Sequence, residues 1–267
     1  MTDPLDGIFT IAGPSGGAGR TTLTLSLGTL LAQAGSEVLL VELDPRGSLA
    51  SLVDQQPEGF PGGILEALSG QKKVSECVVK TVYPGLSLLP SEIRSSAEQH
   101  QLEMALADWK ALPRLLNPLR EWYHTILVDV PAGTDRLTRS ALGAADEVLL
   151  VLQPDPLAVR ALPAMLEALV EVRKVRLPQP ELAGIVLNKV NVHQPFVKQV
   201  LETLYTRFAP LVLETAIPQD TWFIEAAARA MPLPYMMPEA PGSVALSRLM
   251  AELRQRLLNG GASARVA

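Results

Sequence analysis

Gly13-Pro14-Ser15-Gly16-Gly17-Ala18-Gly19-Arg20-Thr21-Thr22 is the stretch on which the reading of this chain turns. It stands between an apolar run, residues 7–13 (GIFTIAG), and a Leu- and Thr-rich segment, residues 20–34, with the character of a helix. In a strand–loop–helix junction of this kind, glycines let successive backbone N–H groups turn toward one point. The first turn of the helix adds its positive end there, so the concavity suits an anion, phosphate above all. Thr21 falls where the hydroxyl of a phosphate-binding loop holds Mg²⁺.

Outward from the loop the pattern repeats. Residues 37–43 (EVLLVEL), 86–90, 124–130 (HTILVDV), 147–152 (EVLLVL), 182–187 (LAGIVL) and 211–216 read as strands, and 103–123 as largely helical. Continuous apolar runs fit strands buried on both faces, and the helices between them make neighbouring strands parallel. The expected fold class is α/β: a doubly wound, mostly parallel sheet with helices on both faces. A single domain is expected over 1–258, with a Pro/Gly-rich loop at 55–63 and a flexible C-terminal tail at 259–267.

Composition narrows the function classes. The chain has 267 residues, 48% hydrophobic and 19% charged, enough for a sizeable core. A net charge of −5 gives no polyanion-binding signature over the whole molecule. One cysteine, Cys77, rules out an intrachain disulfide and fits a reducing compartment. His100, His124 and His193 have no cysteine companions at ligand spacing, which speaks against structural zinc. No basic-then-apolar leader and no apolar run of about 20 residues is read, so the expectation is a cytoplasmic chain without a transmembrane segment.

The strict P-loop pattern G-x-x-x-x-G-K-[ST] is broken twice, by Pro14 at its first glycine and Arg20 at its lysine. Arginine keeps the charge but is a bulkier, planar fork, a change that binding survives better than hydrolysis. Two other readings use the same residues. Gly13 to Gly17 fits G-x-S-x-G, with Asp129 and His193 as partners, although that elbow normally follows several strands. A dinucleotide fold would use Glu42 at the end of the second strand, but its third glycine is missing.

Two acids fall at strand C-termini. Asp44, in Val41-Glu42-Leu43-Asp44-Pro45, could orient an attacking water. Asp129, in Leu127-Val128-Asp129-Val130-Pro131-Ala132-Gly133, has the form of a Walker B acid holding Mg²⁺ through water. Asn188, ending a later strand, carries both a donor and an acceptor for a purine edge. A guanine reader of the N-K-x-D type needs a carboxylate where Asn191 stands, which favours adenine.

Together these residues resemble the ParA/MinD family of deviant-Walker P-loop ATPases. The family's K-G-G-x-G-K-T-T aligns with Ser15 to Thr22, its D-x-D-P with Glu42 to Pro45, and its D-x-P-x-G with Asp129 to Gly133. Leu152 to Arg160 looks like the stretch after the next strand, and Ile217-Pro218-Gln219-Asp220, Glu225-Ala226 and Pro232 like the adenine-side signature. The resemblance implies ATP held by Gly16, Gly17, Ala18, Gly19, Arg20, Thr21 and Thr22, with Asn188 and Pro218 on the base side. It implies Mg²⁺ on Thr21 and, through water, Asp129, with Asp44 in a catalytic role. It also implies a homodimer in which each subunit's signature lysine reaches its partner's phosphates. Ser15 stands at that lysine, Arg20 at the second, and Glu42 at the family's first aspartate, so weak or absent hydrolysis is expected.

Within the family, the loop G-G-x-G-R-T-T and the stretch from Ile217 to Pro232 are similar to the cellulose-biosynthesis proteins called BcsQ (YhjQ). That similarity implies a protein partner in a membrane-bound, exopolysaccharide-secreting synthase and peripheral recruitment to the inner membrane. An active partition or positioning ATPase is the second reading, and a scaffold that binds no nucleotide the third. Leu246, Leu249, Met250, Leu253 and Leu257 form an apolar stripe interleaved with Arg248, Arg254 and Arg256, expected to pack on the sheet rather than on a membrane. Arg173-Lys174-Val175-Arg176 is the best DNA-binding candidate, but such clusters are usually solvated helix ends, and DNA binding is the less favoured expectation.

Overall fold

The computed structural model describes residue 3 and residues 5–53, 59–176 and 180–259. β1 (Gly7–Ala12) leads through the glycine loop into α1 (Arg20–Gln33), and β2 (Val38–Glu42) is followed by α2 (Ser48–Val53), α3 (Ile64–Leu68) and α4 (Val74–Cys77). β3 (Val79–Lys80) and β4 (Leu86–Leu89) come next. α5 (Ser96–Ala105), α6 (Ala111–Leu116) and a 3₁₀ turn over Asn117–Glu121 then lead to β5 (Thr125–Asp129) and α7 (Arg136–Ala144). The second half runs β6 (Glu147–Leu152), α8 (Pro156–Val175), β7 (Glu181–Val190), α9 (Pro195–Phe208), β8 (Val212–Pro218), α10 (Trp222–Ala228), α11 (Leu233–Met236) and α12 (Pro241–Leu258).

Among the described residues eight strands join one sheet in the order β3-β4-β2-β5-β1-β6-β7-β8. Every pairing is parallel except β3 with β4. Side chains alternate between faces, so β1 sends Ile8 to one core and Phe9 and Ile11 to the other. The first core meets α3 and α5 to α9, through Leu102, Leu112, Leu142, Leu162 and Leu204. The second meets α1 and α12, through Leu23, Leu27, Leu246, Leu249 and Leu253. The doubly wound expectation is met, and the apolar stripe of the last helix packs against the sheet, with Leu246, Leu249, Met250 and Leu253 buried and Leu257 half-buried. Among the described residues, no helix is long and apolar enough to cross a membrane.

One expectation needs correction, and one strand was not anticipated. Residues 103–123 are two helices and a 3₁₀ turn rather than one largely helical span: α5 ends at Ala105, and Pro118, which lacks a donor, sits where the α-pattern tightens. The two-residue edge strand β3 was too short to leave a pattern. Residues 55–58 of the Pro/Gly-rich loop and 260–267 of the tail lie outside the described residues.

Candidate functional site

The glycine loop lies at the carboxyl edge of the sheet, the position that crossovers on both faces leave open in folds of this type. Gly17 (φ +74°) and Gly19 (φ +90°) are left-handed, which glycine adopts without strain. A Cβ at Gly19 would lie 2.3 Å from Asn188 Nδ2, whereas one at Gly16 or Gly17 would meet nothing within 4 Å. The loop is therefore tight on its Asn188 side and open in front. Gly19 caps α1 without any side-chain hydrogen bond to the first-turn amides.

Thr21 Oγ1 donates to Asp129 Oδ2 at 2.7 Å, and Thr24 Oγ1 lies 3.4 Å from Oδ1. Asp129 is fully buried, and burial pushes its carboxyl up to about 7 against the pull of Thr21 and Arg20. A divalent cation at this hydroxyl and carboxylate would reverse that balance by favouring the ionised form. Among the described residues no group of three or more His, Cys, Asp or Glu side chains could hold a metal ion. The donor set suits a hard cation that takes its remaining ligands from water and phosphate oxygens, as Mg²⁺ does.

Arg20, at the lysine position, is buried and engaged. Its Nε donates to Val130 O at 3.1 Å and its Nη1 to Ser15 O at 2.6 Å. Burial lowers its affinity for its proton while Asp129 and Asp44 oppose that. Asp44 is held by Arg46, with Nε 3.0 Å from Oδ1 and Nη2 2.7 Å from Oδ2. Burial works against ionising Asp44, yet the Arg46 hydrogen bonds and charge hold its carboxyl below the ordinary range. The clamp occupies both acceptor sites of Oδ1 and one of Oδ2, leaving one on Oδ2 for a water.

Glu42 neighbours Asp129 in register on the same face of the sheet, but its carboxylate is taken up by backbone amides. Its carboxylate accepts from Leu49 N (2.5 Å) and Ser91 N (3.3 Å), and burial pushes it up to about 7. It anchors the start of α2, an arrangement that leaves no ribose-binding role for the dinucleotide reading. The nucleophile-elbow reading fails as well. Ser15 Oγ is buried with no hydrogen-bond partner among the described residues, and Asp129 pairs with Thr21.

On the Asn188 side of the loop, a cleft of about 150 Å³ is lined by Gly19, Thr22, Leu23, Asn188, Ile217 and Gln219, among others. Asn188 is buried, and its Nδ2 donates to Ala18 O at 2.7 Å. Pro218 lies in β8 between two lining residues without lining the cleft itself. Thr24 and Lys189 were not singled out by the sequence. Lys189 Nζ donates to Gly17 O at 2.6 Å, a contact between residues 172 apart that no local motif could reveal. In the basic cluster, Arg173 pairs with Glu181 (3.2 Å) and Arg176 Nε donates to Gly143 O (2.6 Å), so two of its three cations are engaged within the fold.

A family model described as AAA domain (AAA_31) matches residues 7–182. The chromosome partitioning protein ParA of Caulobacter vibrioides is 28% identical over 251 residues, covering 93% of this chain and 94% of that protein. A crystal structure of cobyrinic acid a,c-diamide synthase from Mycobacterium smegmatis, with bound ATP analog and magnesium, superposes with a TM-score of 0.79. It is 26% identical over 95% of this chain and 96% of its own. The cell division ATPase MinD of Pyrococcus furiosus shares the fold, with a TM-score of 0.74 at 24% identity, over 93% of this chain and 98% of its own.

Proposed function

The chain belongs to the ParA/MinD family, within the AAA_31 class, and from that premise we propose that it binds ATP with Mg²⁺ and acts as a spatial regulator or assembly factor. Its machine, in this reading, is a cellulose- or exopolysaccharide-secreting synthase at the inner membrane, to which it is recruited peripherally as a homodimer. Hydrolysis is weak or absent.

The observation that carries nucleotide binding is the Thr21–Asp129 hydrogen bond beneath an open, left-handed glycine loop. Backbone amides of residues 16–22 would hold the phosphates, Thr21 the metal directly and Asp129 the metal through water. Bound Mg²⁺ would neutralise charge on the phosphate oxygens. Asn188 has one of its two N–H groups engaged on Ala18 O, and no hydrogen bond to its Oδ1 is formed among the described residues. The remaining acceptor matches an exocyclic amine, which adenine offers where guanine has a carbonyl.

Slow turnover is supported by the substitutions at Ser15 and Arg20 and by the Arg46 clamp on Asp44. The secretion role is supported by the loop G-G-x-G-R-T-T and the stretch from Ile217 to Pro232. Titration calorimetry with ATP, with and without Mg²⁺, is expected to give saturable, Mg²⁺-dependent binding with little phosphate release. No binding at millimolar ATP would leave only the scaffold reading. For the cellular role, deleting the chain should abolish exopolysaccharide secretion, and Asp129→Ala should fail to restore it. Normal secretion after deletion would reject this assignment. Similarity to ParA along nearly the whole chain favours an active partition ATPase as the second reading. Salt-dependent retention of duplex DNA, together with ready hydrolysis, would promote it.

A further inference from the structure

Three side chains from outside the loop's crest reach its carbonyls: Arg20 to Ser15 O, Lys189 to Gly17 O and Asn188 to Ala18 O. In a trans peptide the C=O of one residue and the N–H of the next point in opposite directions. Each carbonyl drawn outward therefore turns one amide, of Gly16, Ala18 or Gly19, the other way. In front of Gly16 and Gly17 a Cβ would find nothing within 4 Å.

Of the three donors, Lys189 is the exposed one. Its Cε lies 3.7 Å from where a Cβ on Gly19 would be, so the aliphatic stem crosses that glycine, and the side chain also lines the purine cleft. Its backbone is left-handed (φ +55°), a conformation that disfavours a residue with a side chain. Strained backbone at a ligand edge marks a position that its surroundings over-determine.

Resting on the ATP-binding reading above, we propose that Lys189 is a positioning residue of the phosphate loop. It fixes the Gly17 carbonyl outward so that the Ala18 amide faces the anion, and it brings to the loop the ammonium that the loop itself lacks at Ser15 and Arg20. The charge comes from β7 of the same chain, not from a partner subunit.

Lys189→Gly removes the ammonium while glycine accepts the left-handed backbone without strain, which offsets its greater unfolded-state entropy, and a denaturant melt checks that the variant is folded. Calorimetric titrations with AMP, ADP and ATP in Mg²⁺ are expected to show ATP binding about tenfold weaker in Lys189→Gly, from loss of one charge-assisted hydrogen bond. AMP affinity should change by less than about twofold, since the missing charge acts on the outer phosphates. Lys189→Arg should recover most of the ATP affinity. Unchanged ATP affinity in Lys189→Gly would overturn the role of Lys189 while leaving nucleotide binding intact. Equal losses for AMP and ATP would overturn it too, by assigning Lys189 to the walls of the purine cleft. Failure of the unaltered protein to bind any of the three would remove the underlying reading and this one with it.

Discussion

At the carboxyl edge of the sheet Asp129 and Glu42 are fully buried, and at the amino edge Glu147 opens β6; burial pushes all three carboxyls up to about 7. What surrounds them differs. Near Glu147 stand Glu181 and Asp146, which raise it further, and these are countered by Arg173 and Arg120. Asp146 also accepts from Ile8 N at 2.8 Å, closing the start of β1. Around Asp129 stand two threonine hydroxyls, a guanidinium held on backbone carbonyls and glycines with open space in front. A carboxyl with a raised pKa therefore does not by itself make a site. At the amino edge the polar groups close on one another, whereas at the carboxyl edge the loop glycines at 16 and 17 border open space beside the start of α1.

Disrupting the carboxyl edge should have the largest effect. Gly19→Ala places a methyl 2.3 Å from Asn188 Nδ2 on a left-handed backbone. It should cost on the order of 2 kcal/mol of folding stability and reduce nucleotide affinity more than about 100-fold. Denaturant melts and calorimetry check both parts. Asp129→Ala should weaken Mg²⁺-dependent ATP binding by roughly 10- to 100-fold, as loss of a group acting on the metal through water does. Metal-free binding should change little, and an unaltered Mg²⁺ dependence would remove Asp129 from its role. Arg20→Lys frees the loop from the Val130 and Ser15 contacts and should raise turnover about tenfold. If phosphate release stays flat, the missing lysine at Ser15 is the better explanation.

The amino edge gives the smallest effect and one of opposite sign. Glu147 holds its proton more tightly in the fold than its ordinary 4.5. Its contribution to stability is full below about 4.5 and is lost as pH rises through about 7. Glu147→Gln should therefore melt roughly 2–4 °C above the parent at pH 8 and show no such advantage at pH 4.5. Nucleotide affinity should be unchanged, and a loss there would erase the contrast between the two edges.

Much of the carboxyl edge was legible in the sequence because its chemistry is local. A strand, a glycine run and a helix start are contiguous, and Thr21 and Asp129 each end or follow an apolar run whose pairing the parallel order fixes. What escaped depends on contacts between distant segments. Lys189 reads as an ordinary exposed lysine until β7 is set beside the loop. Arg46 was not singled out by the sequence, and only its side-chain direction shows that it closes on Asp44. Asn188 was read as a base-edge residue with donor and acceptor both available, and only the fold shows that one of its two N–H groups is committed to Ala18 O. The break in 103–123 follows the same logic, since short helices there are fixed by what they cover rather than by period.

The most direct measurement is a crystal structure grown with Mg²⁺ and a non-hydrolysable ATP analogue. Phosphate oxygens are expected on the amides of residues 16–22, with the metal on Thr21 and linked through water to Asp129. An Arg20 side chain filling that concavity, with no nucleotide bound there, would contradict the phosphate-loop assignment.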